Sequence, residues 1–150
     1  MTSPEERVEL VRRGFQAYNA RDAGAVLRLL DPEVEVYNTV ALMNAGTFHG
    51  HEGYLRWVRQ WEEAWEDFQN TPEEIVPVGE RHVVARVRAS GRGRGSGVEI
   101  GQVLAYVWEL RDGRCVRLEL HPSFELAVQA AREREGIAAG QASGGADGRD

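Results

Sequence analysis

The chain has 150 residues, 24 acidic against 18 basic, a formal charge of −6, and 42% hydrophobic against 28% charged residues, the composition of one soluble globular domain. A chain this long buries roughly 70% of its unfolded surface and needs no disulfide or structural metal for a core; its one cysteine, Cys115, excludes an intramolecular disulfide framework and a multi-cysteine zinc cluster. No apolar run approaches the ~18 residues of a membrane span, and MTSPEERVEL has no basic stretch leading into an apolar core, so neither membrane insertion nor secretion is expected and the cytoplasm is the default compartment.

Ser3-Pro4-Glu5-Glu6 reads as a capping box with proline at the first helical position. Val8, Val11, Phe15 and Tyr18 follow at helical spacing, which predicts a first helix from Pro4 to about Ala20. Asp22 caps a short second helix that stops near Asp31, because Pro32 disfavours helical geometry in the residue before it. Glu33 to Val40 alternates and is rich in β-branched residues, so it reads as a strand, and Asn44 to Gly50 reads as a loop. From His51 to Phe68 the residues Tyr54, Leu55, Val58, Trp61, Trp65 and Phe68 keep helical spacing and predict the longest helix, ended by Pro72. Strands are expected at Ile75–Val78, His82–Ser90, Val98–Leu110 and Arg114–His121, the last two joined by a hairpin at Asp112-Gly113. Ser123 caps a last helix from Phe124 to about Glu135, ended by Gly136. The Gly/Ala-rich stretch 136–150 is expected to be a disordered tail, leaving residues 1–135 as one domain.

Alternation assigns faces. Leu104, Tyr106 and Trp108, with Gln102, share one face of their strand, and Val83, Ala85, Val87 and Ala89 share one face of the strand before it. Small alanines opposite large aromatics leave room for a hollow. In the last strand Leu118 and Leu120 face inward, which turns Arg117, Glu119 and His121 outward. The opposite face also carries Val84, Val103, Ala105 and Val107 among arginines and glutamates, a mixture suited to a homodimer interface through the outer sheet face. Residues 81 to 117 hold eight arginines against three acids, but no aromatic residue interleaves the arginines of the Gly-rich loop, so a solvated or dimer-facing surface is preferred to a nucleic-acid site. His49-Gly50-His51 lacks an identifiable third ligand, so no metal is expected. Cys115 has no evident thiolate-stabilising partner and reads as a packing residue.

Four stretches carry a family resemblance: YNARD (Tyr18 to Asp22), FHGHEGYLRWVRQW (Phe48 to Trp61), GRGRGSGVE (Gly91 to Glu99) and AYVWELRDGRCVRLELHPSFELAVQAA (Ala105 to Ala131). Together with the α-α-β-α order followed by a meander, they make the chain similar to the SnoaL-like, polyketide cyclase-like branch of the nuclear transport factor 2-like superfamily. The resemblance implies an α+β cone, a curved antiparallel sheet packed on the N-terminal and central helices around a cavity. It does not choose a reaction, since one fold hosts many functions. Steroid isomerases of this superfamily use an Asp base with Tyr and protonated Asp donors; matching the register by eye places those groups at Gly14 (donor Tyr), Tyr37 (base) and Tyr106 (donor acid), so none of the carboxylates is retained. Similar epoxide hydrolases use an Asp-Arg-Asp relay, and the corresponding inward position here is Leu120.

The expected ligand is a small apolar or cyclic organic molecule in an aromatic cavity, held by Phe15, Tyr18, Trp61, Trp65, Gln102, Trp108 and Leu120, with no cofactor. Two functional readings stay open. In the first, cofactor-independent isomerase, cyclase or hydrolase-type chemistry uses Tyr37 or Tyr106 as donor to a carbonyl oxygen, with Glu35, His121 or Glu119 as base. In the second, the chain is a non-catalytic ligand-binding or dimeric scaffold domain. They separate on whether a carboxylate or histidine lies within about 3–5 Å of either tyrosine inside a pocket.

Overall fold

A computed structural model describes residues 2–40 and 45–137; beyond Ile137 the expected tail lies outside the described residues. Helix α1 (Pro4–Asn19) opens on the capping box, with Glu6 N donating to Ser3 Oγ at 3.1 Å and Ser3 N to Glu6 Oε1 at 2.8 Å. Its buried face is Leu10, Val11, Gly14 and Phe15. Asp22 Oδ1 accepts from Ala25 N at 3.1 Å and starts α2 (Ala23–Leu29), which passes directly into strand β1 (Leu30–Asn38).

Three elements differ from the sequence reading. The segment expected as a loop holds a four-residue strand, β2 (Gly46–His49), paired antiparallel to β1; four residues are too few for alternation to register. Helix α3 runs Gly50–Ala64 and stops four residues before Phe68, because Trp65 is already extended (φ −133°, ψ 137°). Strand β3 (Trp65–Val78) takes over, and a bulge between Glu66 and Gln69, with Asp67 at φ 53°, gives it an extra residue that helical spacing mimics. Pro72 therefore ends no helix. It lies in the edge strand of the sheet, where a missing N–H is tolerated.

The meander continues as β4 (His82–Gly93), β5 (Glu99–Arg111) and β6 (Arg114–His121). Asp112 (φ 54°) and Gly113 (φ 77°) make the expected tight hairpin. Helix α4 (Phe124–Glu135) is capped by Ser123 and ended by Gly136 at φ 80°. The strand order is β2-β1-β6-β5-β4-β3. All neighbours are antiparallel except β1 and β6, which run parallel with Val36 opposite Leu118, so the sheet is mixed rather than wholly antiparallel.

Helices α1, α2 and α3 cover one face, where Val34, Val36, Val83, Ala85, Val87, Leu104, Tyr106, Trp108, Leu118 and Leu120 join them in the main core. Helix α4 covers part of the other. Its Ala127 and Ala131 lie on Val84, Ala105 and Val107, so most of the apolar outer set expected to await a partner is buried within the same chain. Among the described residues no helix is long and apolar enough to cross a membrane.

Candidate functional site

The inner face and its helices enclose a chamber lined mainly by aromatic rings. Helix α1 contributes Gly14, Phe15 and Tyr18, α3 contributes Tyr54, Trp57 and Trp61, β3 contributes Phe68 and Asn70, and β5 contributes Tyr106 and Trp108. Helical spacing on α3 and alternation on β3 and β5 turn these side chains to one side. The rings meet edge to face, Phe15 to Tyr106 at 5.3 Å and Trp57 to Tyr106 at 6.4 Å, while Trp61 stacks on Phe68 at 5.0 Å. They fill most of the hollow, leaving about 30 Å³, on the order of one water molecule. A second recess of about 140 Å³ shares Tyr18, Val26, Tyr54 and Val58 as walls and opens between α2 and α3, with Arg21, Asp22, Arg59 and Glu62 around its rim. That volume is similar to the ~150 Å³ that admits a benzene ring.

The polar groups of the inner chamber are uncharged. Asn70 Nδ2 donates to the Tyr106 hydroxyl oxygen at 3.1 Å. The Asn70 backbone is fixed by Asn19, whose Nδ2 donates to Asn70 O at 2.7 Å and whose Oδ1 accepts from Asn70 N at 2.9 Å. Burial pushes the Tyr106 and Tyr54 phenols well above the ordinary tyrosine range, and it pushes Tyr18 up to about 12 although Arg21 opposes it. All three stay protonated at neutral pH. At the mouth, Arg21 donates to Phe68 O at 2.5 Å and Tyr18 O at 3.1 Å, and its guanidinium lies 5.0 Å from the Tyr18 ring centre and 3.7 Å from Glu62.

Four of the expected ligand residues, Phe15, Tyr18, Trp61 and Trp108, line this chamber, together with Tyr106, the tyrosine expected as a donor. Leu120 is buried on the inner face opposite Tyr106 but forms no part of the lining, and Leu118 takes that place. Gln102 is solvent-exposed. Trp65 lies outside the lining, half-buried beside Gly93, because the helix has ended before it. Tyr54, Trp57, Phe68 and Asn70 are lining residues the sequence reading did not select. Tyr54 and Phe68 share the helical spacing of the segment between 51 and 68, Trp57 lies four residues before Trp61 in that segment, and the i, i+2 spacing of Phe68 and Asn70 was the available signal for the fourth.

Tyr37, Glu35 and His121, expected as catalytic groups, are not brought to Tyr106. Pairing puts Tyr37 beside Glu119 and Glu35 beside Arg117, and Glu119 lies opposite Val107 on the α4 face. There Tyr37 donates to Glu35 Oε1 at 2.7 Å, and the Arg117 guanidinium sits 3.7 Å from the Tyr37 ring centre. Buried Glu119 accepts from Arg117 Nε at 2.6 Å and contacts His121 Nε2 at 2.8 Å and an Arg134 guanidinium nitrogen at 2.5 Å. Burial raises the Glu119 carboxyl, but the His121 and Arg117 hydrogen bonds and the Arg134 and Arg117 charges outweigh it and hold it at about 2. This carboxylate is a fully engaged acceptor that ties α4 to β6. The steroid isomerase register also fails sterically at Gly14, where even a Cβ would come within 2.6 Å of Trp108 Cη2.

The arginine-rich strands are neutralised from β3: Arg86 pairs with Glu74 at 3.1 Å, Arg88 with Glu73 at 3.0 Å and Arg92 with Asp67 at 3.2 Å. His49 contacts Glu33 Oε1 at 2.8 Å and His51 contacts Leu30 O at 2.9 Å, and the described residues hold no cluster of three metal-ligating side chains.

Residues 11–118 match the SnoaL-like domain family. No curated protein matches the chain. Among solved structures, a protein from Sinorhizobium meliloti described as a polyketide cyclase is 26% identical, with 75% of this chain and 94% of that one covered at a TM-score of 0.61. A nuclear transport factor 2-like protein from Burkholderia thailandensis is 24% identical over 82% and 95% of the two chains, with a TM-score of 0.70. TerC, co-crystallised with polyporic acid, is 20% identical over 84% and 97%, with a TM-score of 0.69.

Proposed function

The chain belongs to the SnoaL-like domain family, and on that premise we propose that it binds a small, largely apolar cyclic molecule, admitted between α2 and α3 and held against the aromatic chamber. The observation that carries this reading is the chamber's chemistry: aromatic rings over most of its lining, and an uncharged Tyr106–Asn70 pair among its polar groups. Concave, apolar lining with few convergent polar groups suits recognition of such a molecule. The polyporic acid complex of TerC and the cyclase description of the Sinorhizobium protein support the same ligand class.

Binding without turnover is the form the geometry favours. Isomerase or cyclase chemistry needs a base within reach of the substrate carbon as well as a donor to its oxygen. Tyr106 supplies a donor, but Tyr37, Glu35 and His121 lie across the sheet, and Asp22 and Glu62 stand only at the rim. The decisive experiment is titration with toluene, read by indole emission. Saturable change in the wild-type chain and its loss in Val58→Phe, which fills a wall common to both spaces, are expected. Absence of saturable change with toluene and with larger ring compounds would overturn the reading.

A cytoplasmic homodimer belongs to the same proposal. With α4 on Val84, Ala105 and Val107, the contact falls on the strip around Arg86, Arg88 and Val103. Replacing both arginines by Glu should move the mass in native mass spectrometry toward monomer, and an unchanged mass refutes this contact.

A further inference from the structure

The recess and the inner chamber are two spaces with a common wall. Tyr18, Val26, Tyr54 and Val58 line both, and with that wall in place the chamber keeps about 30 Å³ and the recess about 140 Å³. One ring fits the recess alone, since a space of ~150 Å³ admits benzene. A second fused ring does not fit there and must take volume from the chamber by displacing part of the wall. Close-packed interiors give way when a side chain moves between discrete rotamers, not by uniform stretching.

Tyr18 is the wall residue placed to move. Val26 and Tyr54 are 4% and 6% exposed within the main core, and a turn of Val58 shifts only two methyl groups. Tyr18 is half-buried in the last turn of α1 and meets Phe68 edge on at 6.5 Å. Arg21 holds it from the solvent side. The Arg21 guanidinium lies over the Tyr18 ring, 5.0 Å from its centre, and donates to Tyr18 O at 3.1 Å and to Phe68 O at 2.5 Å, which ties the end of α1 to β3. The backbone supplies a second, independent observation: Arg21 has φ 60°, a left-handed conformation that suits glycine and is costly for arginine. A side chain retained at such a position while making three separate contacts points to a task for that side chain. Its approach to Glu62, at 3.7 Å and well exposed, adds little.

Resting on the binding function above, we propose that Tyr18 sets the size of ring system the site admits, as a movable partition between recess and chamber, and that Arg21 is the positioning residue that latches it shut. With the latch closed the site takes one ring, in the recess. A fused two-ring compound needs Tyr18 turned away, so it binds only the open fraction of the molecules and its apparent affinity is reduced by that fraction. A one-ring compound binds the closed form and carries no such loss.

The test titrates toluene and naphthalene into the full chain and reads the ratio of their affinities. Arg21→Gly removes the guanidinium and leaves a residue suited to the φ of 60°. It should tighten naphthalene by about 10-fold, the value of a charge-assisted hydrogen bond lost from the closed form, and leave toluene within about 2-fold of the wild type. A purely structural role for Arg21 would instead move both compounds alike. Tyr18→Ala removes the partition itself and should raise the naphthalene-to-toluene ratio at least as far, so a folding defect in one variant leaves the other as the test. An unchanged ratio in either folded variant overturns the latch and leaves the binding function standing. Absence of saturable binding of both compounds by the wild-type chain and both variants removes the binding function and the latch together.

Discussion

Glu119 distinguishes a structural carboxylate from a catalytic one. Glu119→Gln keeps the shape of the side chain but removes the charge that Arg117 and Arg134 share and the acceptor that faces His121. In the folded chain the group titrates at about 2 against a reference of 4.5. That depression corresponds to about 3 kcal/mol of stability. Because the folded value is the lower one, the contribution is complete above pH 4.5 and is lost as the pH falls toward 2. Removing one partner from a buried ion pair costs about 3–5 kcal/mol, so the two routes agree. For a chain of this length, 3 kcal/mol lowers the melting temperature by about 6–12 °C. The assay is thermal and urea unfolding of the two proteins between pH 7 and pH 2. Glu119→Gln should be less stable at pH 7, and the gap should narrow through the acid range as the wild-type carboxylate takes up its proton. Equal stability at pH 7 together with superimposable acid profiles would refute the reasoning and free Glu119 for another role.

Three other predictions follow from particular contacts. Gly14→Ala should lower stability by about 1–2 kcal/mol, since overpacking against Trp108 outweighs the helical gain over glycine; with Trp108→Leu in place the same change should become stabilising, as urea denaturation would show. Glu135→Ala removes the acceptor of Glu80 N, Arg81 N and His82 Nδ1. A loss of about 1–3 kcal/mol is expected, with faster amide exchange at the end of α4. Burial pushes the Cys115 thiol up, and the side chain is fully buried, so a thiol reagent such as DTNB should label it only at the rate of unfolding; rapid labelling of the native chain would contradict the burial.

Much of the local structure was legible in the residues. The capping box, the Asp-Gly hairpin, the Ser123 and Gly136 helix limits and the inward parity of Leu104, Tyr106, Trp108, Leu118 and Leu120 all depend on neighbours a few positions away. The chamber was half legible for the same reason. A stripe of aromatic residues announces a shared face, but Trp65 and Phe68 continue the helical spacing by way of a bulged strand, so periodicity alone carried the helix too far and kept Trp65 in the site. Asn70 lay in a segment with no assigned element, and its meeting with Tyr106 joins strands that are not adjacent in the sheet.

The sequence by itself determined most of the elements, the faces of the meander strands and the family, because propensity, capping and alternation act over one or two turns of chain. Tertiary structure alone decided that β1 runs parallel to β6, that α4 covers the outer apolar strip, that the aromatic side chains nearly close the hollow, and that Tyr37, Glu35 and His121 stand across the sheet from Tyr106. Each of these depends on pairing between distant segments and on the volume left when their side chains pack. A local pattern specifies a face but neither the partner it meets nor the space between them.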